Sequence, residues 1–69
     1  MRLSARNQLQ GTVVAIEHGR VMSTVEVALG DGQTITAAVT REAVDSLGLT
    51  EGSPATVVIK ATSVMLGAE

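Results

Sequence analysis

The sequence contains no cysteine and no phenylalanine, tyrosine or tryptophan, and only one proline, one histidine and one lysine. Without cysteine, neither a disulfide framework nor a zinc–thiolate site is available to stabilise a small chain. Without aromatic rings there are no platforms on which single-stranded nucleic acid could stack. A formal charge of −2 also runs against the clustered lysine and arginine that neutralise phosphates, so nucleic acid is excluded as an expected partner. The single histidine, His18, has no cysteine or carboxylate cluster around it to make a metal-ligand set, and reads as a solvated turn residue. No nucleophile and base can be paired from it either, which argues against an enzyme. No apolar run reaches the roughly 20 residues needed to span a bilayer, so no membrane association is expected. The first residues lack the apolar core of a secretory signal, and a cytoplasmic location is the expectation.

What is present is a large share of small apolar residues. The apolar fraction is 45 %, drawn almost entirely from Val, Ala, Leu, Ile and Met. A chain of 69 residues makes one domain, 1–69, and at this size folding buries only roughly 60 % of the surface of the unfolded chain. Such a core is thin, and with no disulfide or metal to add stability, oligomerisation is the common remedy.

In chain order, the β-branched run ending Thr12-Val13-Val14-Ala15-Ile16 predicts a strand over Gln8 to Ile16. Gly11 inside it marks an expected bulge or bend, and Glu17-His18-Gly19-Arg20 the turn that follows. Thr24 to Leu29 alternates, with Val25, Val27 and Leu29 on one face and Glu26 on the other, as a half-buried strand does. Gly30-Asp31-Gly32 is a hairpin signal, because glycine accepts positive φ, and Thr34 to Thr40 predicts the return strand with Ile35, Ala37 and Val39 inward. The period then changes. Val44 and Leu47, with Ala43, take helical spacing; Thr40 can cap the start and Gly48 the end. After the turn residues Thr50 to Pro54, Ala55 to Met65 is long enough for one bent strand or two consecutive ones. The order predicts an all-β domain with one short helix, an OB-fold-like five-stranded Greek-key barrel. A three-stranded sheet with a docked helix is the alternative.

Two stretches carry chemistry. Val58-Ile59-Lys60-Ala61-Thr62-Ser63-Val64 holds the only lysine, and read as a strand it puts Lys60 and Thr62 on one face. Ser4-Ala5-Arg6-Asn7 places a hydroxyl and a guanidinium two residues apart. Neither 1–10 nor 52–67 contains a carboxylate. Taken singly, Arg6 is a surface charge and Lys60 a guard on a strand edge. Taken together, two cations and several hydroxyls without a carboxylate suit a small oxyanion, which accepts hydrogen bonds and donates none.

Ser4-Ala5-Arg6-Asn7-Gln8-Leu9-Gln10-Gly11, Thr40 with Leu47-Gly48-Leu49, and Val58 through Met65 together resemble the molybdenum-pterin-binding protein family, the molbindins or Mop proteins. The resemblance covers essentially the whole chain. It implies a single Mop domain, assembly as a homo-hexamer built as a trimer of dimers, and non-catalytic binding of molybdate or tungstate at subunit interfaces, for storage and homeostasis. The oxyanion site implied by the resemblance comprises Ser4, Arg6, Lys60 and Ala61 from one subunit, and Ala5, within the first motif, and Thr62, read as sharing a face with Lys60, complete the candidate set there. Thr40 and Ala43, at the start of the short helix, come from the facing subunit. Ala43 and Ala61 stand where relatives often carry serine, leaving only a backbone N–H at each. No free metal cation is implied. The same domain type also occurs fused to DNA-binding and transporter modules, which makes an oxyanion-responsive regulatory module the second reading.

Overall fold

A computed structural model describes residues 2–69. The chain runs β1 (Asn7–His18), β2 (Met22–Leu29), β3 (Thr34–Thr40), α1 (Arg41–Leu47), β4 (Pro54–Ile59) and a single 3-10 turn, Ala61–Ser63. The strands form one antiparallel sheet in the order β3-β2-β1-β4. The last strand thus returns past the helix to lie beside the first, which is the Greek-key order 4-1-2-3.

Alternation explains which face is covered. Along β2, Ser23, Val25 and Val27 are buried while Thr24 and Glu26 are exposed. Val13 of β1 joins them, and α1 lays Val44 over the same face, so the closed core consists of four valines, Val13, Val25, Val27 and Val44. The helix forms where the alternation stops. Thr40, still extended at φ −68° and ψ 149°, accepts the Ala43 N–H on its hydroxyl. Gly48 then stops the helix at φ +66°, a conformation that costs a residue with a Cβ about 1–2 kcal/mol. The β2–β3 hairpin closes as expected, with Gly32 at φ +86° and the Asp31 carboxylate accepting both the Gln33 N–H and its side-chain amide.

The structure departs from the sequence reading in four places. β1 extends to His18, so His18 is a strand residue paired with Ser23, and its Nδ1 lies 3.1 Å from the Ser23 hydroxyl. The bulge of β1 falls between Val13 and Ala15, at Val14, and not at Gly11. Gly11 serves a different purpose: a Cβ there would lie 2.5 Å from Val27 Cγ1 and 2.7 Å from the Ala28 carbonyl oxygen, so glycine is what lets β1 and β2 approach. Leu47, expected on the inner helical face, is 72 % exposed, because the helix ends there at the rim of an open hollow.

The fourth departure is the end of the sheet. Among the described residues there are four strands, not five, and Ala55 to Met65 is strand only as far as Ile59. The physical reason is the lack of a neighbour. β4 pairs only with β1, whose first paired residue, Asn7, lies opposite Ile59. Past that pair no strand among the described residues lies alongside, and the chain bonds to itself instead, Ser63 N–H to the Lys60 carbonyl at 2.9 Å and Val64 N–H to the Ala61 carbonyl at 3.3 Å. Lys60 and Thr62 therefore do not share a strand face. With no fifth strand, β3 and β4 remain edges, and a hollow of about 510 Å³ lined by Val25, Val27, Ala37, Val39, Leu49 and Val57 stays open between them.

Candidate functional site

The Asn7–Ile59 pair is the last rung of the β1–β4 ladder. Arg6 immediately precedes one member and Lys60 immediately follows the other, so antiparallel pairing sets the two cations just beyond the ends of adjoining strands, at the same end of the sheet. Ser4 and Ala5 lead into that rung, and Ala61 and Thr62 lead out of it through the 3-10 turn. Ser4, Arg6, Lys60 and Thr62 are exposed and Ala5 is half-buried. The corner is thus an open surface rather than a cavity. Six of the residues singled out from sequence, Ser4, Ala5, Arg6, Lys60, Ala61 and Thr62, lie in the two segments brought together here, although Arg6 and Lys60 are 54 apart in sequence (60 − 6).

The turn conformation also changes which donors this corner offers. Ser63 and Val64 spend their N–H groups within the turn, whereas the hydroxyls of Ser4 and Thr62 and the charged groups of Arg6 and Lys60 stand at the surface. Two side-chain amides brace the corner. Asn7 Nδ2 donates to the Ile59 carbonyl at 3.1 Å, and Gln8 Nε2 to the Ala5 carbonyl at 2.8 Å. Sequence reasoning assigned neither amide a role. The Asn7 acceptor lies 52 residues away, and no local spacing signals such a bond.

Thr40 and Ala43 are not part of this corner. Thr40 pairs with Met22, and Ser23 pairs with His18, so Thr40 lies by the opposite end of the twelve-residue β1, on a domain 36 Å in its longest dimension. There it lines a shallow hollow of about 380 Å³ with Arg20, Val21, Arg41, Glu42 and Asp45. The backbone N–H groups at the helix start, that of Ala43 among them, are largely spent. Arg41 N–H donates to the Val21 carbonyl at 2.7 Å and Ala43 N–H to the Thr40 hydroxyl at 3.0 Å. What Thr40 still offers is its own hydroxyl hydrogen, since a hydroxyl can accept and donate at once. Within one chain the two sets of candidate residues cannot meet on one small ion.

The fold matches a known class. Residues 3–66 match the TOBE domain model, and the chain belongs to that family. Within it the chain groups with the Mop, or molybdenum-pterin-binding, proteins. It is 48 % identical over 69 residues, the whole of both chains, to a probable molybdenum-pterin-binding protein of Haemophilus influenzae. Among solved structures it superposes on MopII from Clostridium pasteurianum with a TM-score of 0.92 and 40 % identity, over 97 % of this chain and all of that one. The cytoplasmic molybdate-binding protein ModG, with molybdate bound, superposes with a TM-score of 0.95 and 54 % identity, over all of this chain and 49 % of that one.

Proposed function

We propose that this protein binds molybdate or tungstate, without catalysis, at the seams between copies of itself, and so stores the oxyanion and buffers its concentration inside the cell. The reading rests on one observation above the others: the β1–β4 pairing that ends at Asn7 and Ile59 gathers Arg6, Lys60 and the hydroxyls of Ser4 and Thr62 in a corner whose two segments carry no carboxylate. Molybdate at neutral pH is a tetrahedral dianion whose oxygens only accept hydrogen bonds. Its site must be made of donors, and one guanidinium with one ammonium balances its charge. The similarity to molybdate-binding Mop proteins over the full chain supports the same ligand.

The geometry of the corner supports the seam. An ion held only by exposed groups stays hydrated on its open side, where charge interactions are weak. Thr40, at the opposite end of β1, is available to close that side if it comes from a second copy. The open apolar hollow beside β3 and β4, together with exposed Leu47, Met65 and Leu66, supports the same conclusion, since a chain of this size has apolar surface still to cover. A homo-hexamer arranged as a trimer of dimers is the assembly this reading adopts.

Calorimetric titration with molybdate, tungstate and sulfate tests the ligand. Saturable binding of molybdate and tungstate, and much weaker binding of sulfate, is expected. No binding, or equal affinity for all three, overturns the reading. Native mass spectrometry of the same samples tests the assembly, with a hexamer expected and a monomer at working concentration contradicting the seam.

A further inference from the structure

Two carboxamides stand between the sheet and the cation-bearing segments, and both donate to carbonyls in equivalent places. The Asn7 acceptor is the carbonyl of Ile59, which belongs to the peptide group leading into Lys60. The Gln8 acceptor is the carbonyl of Ala5, which belongs to the peptide group leading into Arg6. A peptide group is planar and its C=O and N–H point in opposite directions. Fixing each carbonyl therefore fixes the plane from which the next residue, in each case a cation, departs.

The Asn7 bond is the more consequential of the two. It is part-buried and joins the two segments across the last rung of the ladder, whereas the Gln8 bond is exposed and local. Beyond Ile59 the backbone leaves strand geometry and turns through Lys60 into the 3-10 turn. The direction Lys60 takes is thus no longer set by a continuing strand pair. The Asn7 amide sits at the point where that control ends.

We propose that Asn7 is a positioning residue for oxyanion binding: through the Ile59 carbonyl it holds Lys60 in place beside Arg6, while Gln8, through Ala5, orients Arg6. The proposal rests on the oxyanion reading above and adds to it that the spacing of the two cations is maintained by side chains which need not touch the ion. Outer residues of this kind typically change affinity 10- to 100-fold at metal sites.

The test is a set of three double-mutant cycles read by molybdate calorimetry, with thermal unfolding of every variant as a control. Asn7→Ala should weaken molybdate binding about tenfold, in line with the loss of such an orienting partner. Lys60→Ala should then cost at least about threefold less in the Asn7→Ala background than in the parent, because residues acting through one another are not additive. Gln8→Ala, whose exposed bond leaves folding out of question, should couple in the same sense to Arg6→Ala and not to Lys60→Ala. It keeps the test open if Asn7→Ala unfolds. Additive cycles in a parent protein that binds molybdate overturn the positioning role and leave the oxyanion reading standing. A parent that binds no molybdate removes both.

Discussion

Replacing Gly11 by alanine sets two opposed effects against each other, and the structure decides between them. Alanine restricts the unfolded chain, which by itself stabilises by about 0.4–1 kcal/mol where the native backbone tolerates a Cβ. At Gly11 the backbone conformation is ordinary but the space is not. The new Cβ would sit 2.5 Å from Val27 Cγ1, 2.7 Å from the Ala28 carbonyl oxygen and 3.3 Å from Leu29 Cδ2. Val27 is 3 % exposed and part of the closed core, so its methyl has little room to move. The Ala28 oxygen is backbone in the strand paired to β1, and it can move away only if the two strands separate. Overpacking of this kind costs about 1–3 kcal/mol, which exceeds the entropic gain. Against a total stability of about 3–10 kcal/mol for a chain this size, the net loss is a large share. At about 4–8 °C per kcal/mol for a small domain, thermal unfolding followed by circular dichroism should show a melting temperature lower by roughly 5–15 °C. An unchanged or higher melting temperature would show that β1 and β2 are not held in the close approach described, and the reasoning would fail.

Other substitutions have separable outcomes. Val44→Ala empties a position 1 % exposed beneath α1 and should cost about 2 kcal/mol by chemical denaturation, core truncation being the largest common source of such losses. Gly48→Ala should cost about 1–2 kcal/mol and Gly48→Asn clearly less, since asparagine tolerates the left-handed region. Arg6→Ala should weaken molybdate binding about 10- to 150-fold, the worth of a hydrogen bond to a charged group, while barely moving the melting temperature, because Arg6 is exposed. Molybdate affinity should also fall several-fold between low and high sodium chloride, as expected for charges that are partly solvent-screened.

Much of the fold was legible because its elements announce themselves locally. The alternation of Val25, Val27 and Leu29, the Gly-Asp-Gly turn, and the Thr40 and Gly48 caps of α1 all depend on residues within a few positions of one another. Apart from Leu47, where the helix simply ends, the misreadings share a cause: each depended on what lay across the sheet. Lys60 to Val64 has the composition of a strand but no strand beside it, and β propensity without a neighbour does not make a ladder. Gly11 looked like a bend because glycine serves several purposes, and only the proximity of Val27 and Ala28 shows which one applies here. In the candidate site, the chemical types of Ser4, Arg6 and Lys60 were legible, and the ladder brings their segments together. The role of Ala43 was not. Its N–H is occupied by the helix cap, a bond that the sequence offers and that competes with the ligand for the same donor. The bracing amide of Asn7 was invisible for the opposite reason, because its partner lies 52 residues away.

The central claim, that one copy supplies the cations and another the Thr40 hydroxyl, is tested most directly by mixing two impaired proteins. The first carries Arg6→Ala with Lys60→Ala. The second carries Thr40→Asp, which preserves the helix cap, since aspartate caps as well as threonine, but sets a carboxylate against the anion. Each alone should bind molybdate weakly or not at all. Unfolded, mixed in equal amounts and refolded together, they should regain tight binding at about a quarter of the sites, the fraction in which random pairing across a seam unites the intact half of each. A mixture that binds no more molybdate than the two proteins measured separately would contradict the account.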